Sequence, residues 1–191
     1  TGVQTCALPI SLDVGFTSAG DLDVATLTNF VNQIGLSSGY IDTWYDQSGN
    51  GRHVTQTGTP TKQPRIVNAG TLDTTSGKPM MVFDGTDDNL GLTSTFADRV
   101  STQPLSVNVV CQFTTVSGYR GVIGNRSGTL NWYFYEHVTG ATLQMYGAAA
   151  NQGSWTPASA TPYVLSDVIA QGATFDANLY ESSATDSGVV R

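Results

Sequence analysis

The run NWYFYEHV, at residues 131–138, contains the side chains best suited to recognising a ligand. Successive residues of a strand alternate between its two faces, so one face receives Asn131, Tyr133, Tyr135 and His137, and the other receives Trp132, Phe134, Glu136 and Val138. Aromatic rings stack on the apolar faces of sugars, and tyrosine hydroxyls form hydrogen bonds with sugar oxygens. The first face is therefore a candidate glycan-binding row. The alternative is that one face is core and the other only pairs with neighbouring strands.

Hydrolysis of a glycoside normally needs two carboxyl groups, about 5–5.5 Å apart in retaining enzymes and about 6.5–9.5 Å apart in inverting ones. The chain contains two glutamates, Glu136 and Glu181, and no Glu-x-Asp-x-Glu sequence. Glu136 is the candidate nucleophile, with Asp167 or Asp176 as the acid, but alternation places Glu136 on the face opposite the candidate glycan-binding row. The sequence also has no Ser-His-Asp signature and no phosphate-binding loop. It therefore favours a non-catalytic protein.

The segment FDGTDDNL concentrates oxygen ligands in Asp84, Asp87, Asp88 and Asn89. Such ligands can hold Ca²⁺, although their spacing is not that of an EF-hand loop. The preferred interpretation is an acidic β-turn, because Asp-Gly is a strong turn signal. We therefore expect no metal and no other cofactor, with calcium at Asp84, Asp87 and Asp88 as the alternative.

The most distinctive run of the chain is IDTWYDQSGNGRHVTQ, at residues 41–56. It contains a predicted structural corner formed by Trp44, Tyr45, Asp46, Gln47, Ser48, Gly49, Asn50 and Gly51. Asp46, Ser48 and Asn50 are short polar residues that can bond nearby backbone N–H groups, and the glycines allow positive φ. We expect a tight, internally hydrogen-bonded corner that fixes the preceding helix segment on the sheets. The alternative is a loop that binds a ligand or a cation.

One helix is predicted within GDLDVATLTNFVNQIG, at residues 20–35. Apolar residues recur there at i, i+3, i+4 and i+7, the spacing of one helical face, and they are Leu27, Phe30, Val31 and Ile34. Asp21 or Asp23 can cap the start, and Gly35 can end the helix in a left-handed conformation. We expect the stripe to face the core, each burial contributing about 1.5–3 kcal/mol.

After the helix the apolar period changes to two. In PLSVNVVCQF, at residues 104–113, one face receives Leu105, Val107, Val109, Cys111 and Phe113, which is typical of a half-buried antiparallel strand. Further predicted strands are YIDTWY, KPMMVFDG, RGVIGN, NWYFYEHV, ATLQMYG, YVLSDVIAQ and ATFDANLYES. Turn-forming residues separate nearly all of them. The pattern predicts an all-β, mainly antiparallel sandwich or jelly roll with one N-terminal helix, in a single domain over residues 11–191.

Composition limits the possible partners. The chain has 191 residues, of which 39% are hydrophobic, enough for one domain with a sizeable core. The net charge of −7 argues against nucleic-acid binding, which needs clustered Lys and Arg. No apolar run approaches the roughly 20 residues of a membrane span, so we expect no membrane insertion. Two histidines, His53 and His137, and two cysteines, Cys6 and Cys111, form no metal-ligand pattern.

The first ten residues, TGVQTCALPI, lack the basic region and the uninterrupted apolar run of a signal peptide. They are also a poor strand, because Gly2, Gln4 and Pro9 break the alternation. The DNA string ACT GGA GTT CAG ACG TGT GCT CTT CCG ATC encodes them in order and resembles a common sequencing adapter. We expect Thr1–Ile10 to be translated adapter outside the core, and genuine sequence to start at Ser11 or Leu12.

Residues 41–56, with the flanking segments LDVGFTSAGDLDVATLTNFV, QPRIVNAG and GKPMMVFDGTDDNL, carry a family resemblance. This region resembles the concanavalin A-like, laminin-G-like sandwiches of bacteriophage tail and virion proteins and of bacterial surface proteins. Its YDQSGNGRH core is also similar to a segment of the catalytic sandwich of α-L-arabinofuranosidase B. The resemblance covers Leu12 to about Leu92 and implies a concanavalin A-like jelly-roll sandwich, truncated at its N-terminus.

The function that this resemblance implies is a non-catalytic carbohydrate-binding or structural module, located in a virion or at an extracellular surface. Its expected partners are glycans, such as a cell-surface polysaccharide, and the other domains of a larger protein. One alternative is a glycoside hydrolase related to α-L-arabinofuranosidase B, a family that uses a Glu nucleophile and an Asp acid. The second alternative is a purely structural packing domain.

Overall fold

A computed structural model describes residues 11–33, 35, 37–92, 105–115, 120–127, 130–137, 142–147, 150–169, 175–176 and 179–180. Its contacts divide the chain into two compact units, Thr1–Ser94 (unit 1) and Thr95–Arg191 (unit 2). Within the described residues the fold is mainly antiparallel β-structure with one α-helix, as the sequence predicts. The single domain over residues 11–191 stays a prediction, and Thr1–Ile10 lie outside the described residues.

Unit 1 begins with helix α1 (Val24–Val31). Its N-cap is Asp23, the second of the two predicted candidates: Asp23 Oδ1 accepts a hydrogen bond from the Thr26 N–H at 3.1 Å, and Oδ2 accepts one from the Thr26 hydroxyl at 2.7 Å. The helix ends before the predicted Gly35, because the Gln33 N–H bonds to Phe30 O in a tighter turn. In the described part of the chain, no helix has the length and apolar character needed to cross a membrane.

The strands of unit 1 are short. They are β1 (Gly39–Tyr40), β2 (Thr43–Trp44), β3 (Val54–Thr55), β4 (Arg65–Asn68), β5 (Thr71–Leu72), β6 (Thr74–Thr75), β7 (Lys78–Pro79) and β8 (Gly91–Leu92), with a 3-10 turn at Pro60–Lys62. They form a β1–β4–β5 sheet, a β2–β3–β8 sheet and a β6–β7 pair. The predicted strand YIDTWY is thus divided between β1 and β2. KPMMVFDG contributes β7 and an isolated bridge between Val82 and Arg65.

Two hairpins of unit 1 have two-residue turns with positive φ at both central positions. Ala69 and Gly70, between β4 and β5, have φ of 45° and 83°, and Ser76 and Gly77, between β6 and β7, have φ of 48° and 75°. Turns of this kind match the right-handed twist of the flanking strands. They therefore fix the register of both hairpins.

The core of unit 1 lies between α1 and β4. Leu27 and Val31 of the helix are buried together with Val67 of β4, which has no exposed surface. The half-buried residues that pack against this cluster are Val14, Leu22, Phe30, Ile66 and Leu72. Three residues of the predicted helical stripe therefore face the core, which confirms that interpretation, while the fourth, Ile34, lies outside the described residues.

The strands of unit 2 are longer. They are β9 (Leu105–Gln112), β10 (Arg120–Ser127), β11 (Leu130–His137), β12 (Thr142–Gly147), β13 (Ala150–Trp155), β14 (Pro162–Ile169), β15 (Phe175–Asp176) and β16 (Leu179–Tyr180). One sheet has the order β10–β11–β12–β13, and in a second sheet β14 pairs with β9, β15 and β16. The predicted strands at β9, β10, β11, β12 and β14 are confirmed. ATFDANLYES forms two short strands, β15 and β16, instead of one.

The described side chains of the β9–β14 pair confirm the predicted alternation of β9. Phe113, just after β9, is buried, whereas Val110 is 55% exposed. On β14, Tyr163 is buried, and its hydroxyl accepts a hydrogen bond from the Ala158 N–H at 2.8 Å. Burial raises the pKa of the Cys111 thiol to about 11, so this thiol stays protonated and poorly nucleophilic at neutral pH.

Gly39 of β1 lies so close to the core of unit 1 that a Cβ atom there would be 2.7 Å from Val31 Cγ2. Because Val31 is buried, the backbone must shift to make room. We expect Gly39→Ala to lower the free energy of unfolding by about 1–3 kcal/mol in urea denaturation. Gly58→Ala is the matched control, because a Cβ atom there would meet nothing within 4 Å. Equal stability of the two variants would contradict this packing.

Candidate functional site

The predicted corner lies between β2 and β3 and is organised by the carboxylate of Asp46. Asp46 Oδ1 accepts a hydrogen bond from the Ser48 N–H at 2.8 Å, and Oδ2 accepts one from the Arg52 N–H at 3.0 Å. The Asp46 N–H donates to His53 Nδ1 at 3.0 Å. Hydrogen bonds, first from the Ser48 side chain and then from the Arg52 and Ser48 backbones, lower the pKa of Asp46 to about 2. One residue therefore joins both ends of the loop.

The remaining polar groups of the corner also bond within it. The Ser48 hydroxyl accepts a hydrogen bond from the Asn50 side-chain amide at 2.8 Å. Gly49 and Gly51 have φ of 79° and 67°, a left-handed conformation that glycine adopts without strain. The contacts are those of the tight, internally hydrogen-bonded corner that the sequence predicts.

The two aromatic residues of the corner are about half exposed, Trp44 at 50% and Tyr45 at 42%. The Tyr45 hydroxyl donates to Asp13 Oδ1 at 2.8 Å, and its ring meets the His53 ring edge-on, with centroids 5.0 Å apart. The Gln47 side-chain amide donates to Tyr45 O at 3.0 Å. Tyr45 therefore connects the corner to the segment before α1, and the role of the corner in fixing the helix on the sheets stays a prediction.

The acidic segment after Val82 forms a turn in which carboxylates accept backbone hydrogen bonds. Asp84 Oδ1 accepts from the Thr86 N–H at 2.7 Å and from the Asp87 N–H at 3.3 Å, and Asp88 Oδ2 accepts from the Asp84 N–H at 2.8 Å. Gly85 has a φ of 73°. Carboxylate oxygens of Asp84, Asp87 and Asp88 lie within 4.8 Å of one another, but those of Asp84 and Asp88 already serve the turn.

The fourth residue of this segment, Asn89, is bonded elsewhere. Asn89 Oδ1 accepts a hydrogen bond from the Gln56 side-chain amide at 2.8 Å, and its own amide donates to Asp87 O at 2.9 Å. Lys62 Nζ lies 3.7 Å from Asp87 Oδ2. Burial raises the pKa of Asp88, whereas the Thr86 N–H lowers that of Asp84. These contacts support the preferred turn interpretation, and calcium binding stays the untested alternative.

The candidate glycan-binding row lies on β11, an inner strand of the β10–β13 sheet. Residues directly opposite one another on paired strands share a face. The register places on one face, here called the polar face, the positions of Gly121, Gly124, Arg126, Asn131, Tyr133, Tyr135, His137, Thr142, Gln144, Tyr146, Asn151 and Ser154. Gly121 is exposed, and a Cβ atom there would meet nothing within 4 Å. A residue without a side chain therefore lies directly opposite the position of Tyr135.

The other face of this sheet, here called the apolar face, has most of its large apolar residues. Its register positions are those of Arg120, Ile123, Asn125, Ser127, Leu130, Trp132, Phe134, Glu136, Leu143, Met145, Gly147, Ala150, Gly153 and Trp155. An antiparallel sheet with one apolar and one polar face is typical of a layer whose apolar face covers a core.

The candidate nucleophile Glu136 occupies a position on the apolar face. Its register partners are Arg120 and Leu143, and no other Asp or Glu occurs in the four described strands of its sheet. Asp167 and Asp176 lie on β14 and β15, in the second sheet of unit 2. The register therefore gives Glu136 a cation and an apolar residue as neighbours.

Sequence reasoning missed the partners that strand pairing brings to the candidate row. Tyr146 pairs with Tyr133, Gln144 pairs with Tyr135, and Arg126 pairs with Asn131. Alternation within ATLQMYG signals that Gln144 and Tyr146 share a face. Their position beside Tyr133 and Tyr135 depends on the register, which the sequence does not state.

Comparisons of the chain with protein-family models, with curated proteins and with solved structures give no significant match. The concanavalin A-like resemblance of residues 12–92 is therefore still a prediction. Any functional assignment rests on the geometry of the chain and on that resemblance.

The low pKa of Asp46 predicts a pH-dependent contribution to stability. Folding lowers this pKa from 3.8 to about 2, so the charged carboxylate stabilises the folded state above about pH 3.8 and this contribution is lost as the pH falls through about 2. We expect Asp46→Asn to melt at a lower temperature than the wild type at pH 7, and the difference to shrink between pH 3.8 and 2.

The matched control for Asp46→Asn is Asp21→Asn. The Asp21 side chain is 70% exposed and lies 3.6 Å from Lys78 Nζ, and exposed ion pairs contribute little to stability. Its melting temperature should stay close to that of the wild type at every pH. If Asp46→Asn melted at the same temperature as the wild type at pH 7, the result would show that the corner hydrogen bonds do not stabilise the fold.

For the acidic segment we expect no stabilisation by calcium. Asp84 and Asp88 already accept backbone N–H groups, which commits one oxygen of each carboxylate to the turn and leaves fewer acceptor sites for an ion. The melting temperature in millimolar CaCl₂ should therefore equal the melting temperature in the same concentration of MgCl₂. A rise with calcium alone that Asp87→Asn removes would instead establish a calcium site, because ligand binding to the folded state raises stability.

Proposed function

We propose that the chain is a non-catalytic carbohydrate-binding module whose ligand lies on the polar face of the β10–β13 sheet. The observation that carries this proposal is the register of β11, which aligns the positions of Tyr133 and Tyr135 with Tyr146 and Gln144 on one side and with two glycines on the other. Aromatic residues beside glycines on one sheet face are suited to a ring-shaped ligand that stacks on them.

The spacing of the row supports an extended ligand. Tyr133 and Tyr135 are two residues apart on one strand, and each residue adds about 3.3 Å, so their positions are about 7 Å apart. The row from Asn131 to His137 covers about 20 Å on the same basis. Amide side chains supply both donors and acceptors for sugar hydroxyls, and Asn131 and Gln144 occupy positions beside the tyrosines. An oligosaccharide therefore fits the row better than a single sugar.

The setting of the module follows from the resemblance of residues 12–92 to concanavalin A-like, laminin-G-like domains. Its sheets would belong to a jelly-roll sandwich with the apolar face of β10–β13 towards the core. The proposed location is a virion or an extracellular cell surface, and the proposed partners are a cell-surface polysaccharide and the other domains of a larger protein. Affinity from few contacts would be millimolar to micromolar, and several copies on one particle would raise it through multivalency.

The register also supports the absence of hydrolysis in this proposal. A retaining glycosidase needs a second carboxyl group about 5–5.5 Å from the nucleophile, but the register partners of Glu136 are Arg120 and Leu143. A hydrolase related to α-L-arabinofuranosidase B would need Asp167 or Asp176 to approach Glu136 from the other sheet. A purely structural packing domain would bind no glycan at all.

Glycan-array screening followed by calorimetry tests the proposal. We expect Tyr133→Ala and Tyr135→Ala each to weaken binding by about two- to tenfold, because an aromatic contact contributes about 0.5–1.5 kcal/mol. Tyr40→Ala, at a tyrosine of unit 1 that is 56% exposed, should bind as the wild type does. Circular dichroism would verify that every variant is folded.

The same samples separate the alternatives. Hydrolysis of aryl α-L-arabinofuranosides that is lost in Glu136→Gln would overturn the non-catalytic assignment in favour of the glycosidase. A folded wild-type chain that binds no glycan on the array would leave the structural packing domain. Glycan binding that is unchanged in both tyrosine variants would place the ligand elsewhere on the chain.

A further inference from the structure

The polar face has a different charge from the rest of the chain. The whole sequence has 15 acidic residues against 8 Lys and Arg, whereas residues 120–155 contain two arginines and one glutamate, a net charge of +1. That glutamate, Glu136, occupies a position on the apolar face. Among the described positions of the polar face there is therefore no carboxylate, while Arg126 occupies one end and His137 occupies the other.

The two arginines of β10 differ in their register. Arg120, on the apolar face, is directly opposite Glu136, and opposite charges at such positions attract each other. Arg126, on the polar face, is opposite the neutral Asn131. The pairing therefore offers Arg120 a counter-charge from its direct partner but offers Arg126 a hydrogen-bonding amide.

Arg126 occupies a position close to Tyr133. Tyr133 pairs with Gly124, two residues from Arg126 on the same strand. Diagonal neighbours of this kind are about 7–8 Å apart, within reach of long side chains. Guanidinium groups bind carboxylate and sulfate-like anions through two parallel hydrogen bonds. A sugar stacked at Tyr133 would thus lie beside the position of an arginine, and the described positions of the polar face include no acidic residue.

We infer that the polar face selects anionic glycans, that is, polysaccharides whose sugars carry carboxylate or sulfate groups, with Arg126 as the residue that determines this selectivity. The inference rests on the proposed glycan-binding function and adds the class of ligand. Carboxylate and sulfate share the chemistry that arginine recognises, so the experiment must distinguish the two sources.

The first experiment compares each acidic glycan with its own neutral form at constant ionic strength. The probes are uronate and sialate oligosaccharides with their carboxyl-reduced counterparts, and sulfated oligosaccharides with their desulfated counterparts. We expect the strongest ligands to be acidic and the neutral form of the best ligand to bind at least tenfold more weakly. Loss of binding on carboxyl reduction identifies a carboxylate ligand, and loss of binding on desulfation identifies a sulfate ligand.

Variants then assign the selectivity to one residue. Arg126→Gln should bind the acidic ligand about tenfold more weakly than the wild type and should bind its neutral form equally well. Arg126→Lys should keep most of the preference for the acidic ligand. The controls remove the same charge elsewhere: Arg120→Gln on the other face of the same strand, and Lys78→Gln at an exposed side chain of unit 1. Both should retain the wild-type preference.

The outcomes separate the two levels of the proposal. Equal binding of acidic and neutral forms, with both weakened by Tyr133→Ala, would overturn the anionic selectivity and leave the glycan-binding function standing. A preference for acidic ligands that Arg126→Gln leaves intact would overturn the assignment to Arg126. No binding of any glycan by the folded chain would overturn the proposed function itself.

Discussion

The pairing register of β11 is the constraint on which the properties of the β10–β13 sheet depend. Residues alternate between faces with a period of two, so a slip of one residue would exchange the polar and the apolar face. Burial of a large apolar side chain contributes about 1.5–3 kcal/mol, and the apolar face holds the positions of Trp132, Phe134 and Met145. A slipped register would turn these residues to the opposite side. The pairing that groups these three positions on one face also groups the tyrosine positions on the other.

A bulge on β10 makes this division of the faces possible. On β10 the register shifts between Gly121 and Ile123, so that Val122 is an extra residue. Without the shift, Gly121 and Ile123 would share a face, because they are two residues apart. With it, the glycine pairs with Tyr135 while the isoleucine pairs with Phe134. A bulge of this kind changes the face that a strand presents, and here it keeps an apolar residue off the polar face.

The sequence predicts the elements whose pattern is long and misses those held by their neighbours. The helical stripe and the alternation of β9 and β11 extend over several residues, so local reasoning finds them. β13 has the sequence ANQGSW, whose Asn and Gly are unfavourable in strands, and it forms where β12 supplies a pairing edge. Two-residue strands such as β3 are too short to show a period. The helix end was misplaced because local turn geometry after Val31, rather than Gly35, ends it.

Only half of the candidate site could be predicted for the same reason. Alternation within one strand groups Tyr133 with Tyr135, but the glycines, Tyr146 and Arg126 join them through pairings between strands and through a bulge. The corner is the opposite case, since the Asp46 bonds connect residues at most seven positions apart. Asp, Ser, Asn and Gly are residue types that predict such local bonding. Local polar chemistry was therefore predictable, and the chemistry of the sheet face was not.

Global and local charge act in opposite directions on an anionic ligand. A net charge of −7 repels a polyanion at long range, and salt screens this repulsion over a Debye length of about 8–10 Å at moderate ionic strength. The same salt weakens the short-range attraction of an arginine. The net effect of salt on affinity can thus be small even when Arg126 binds the anion, so a weak salt dependence says little about the contact. A comparison at fixed ionic strength, in which only the charge of the sugar or of one side chain changes, isolates the local term.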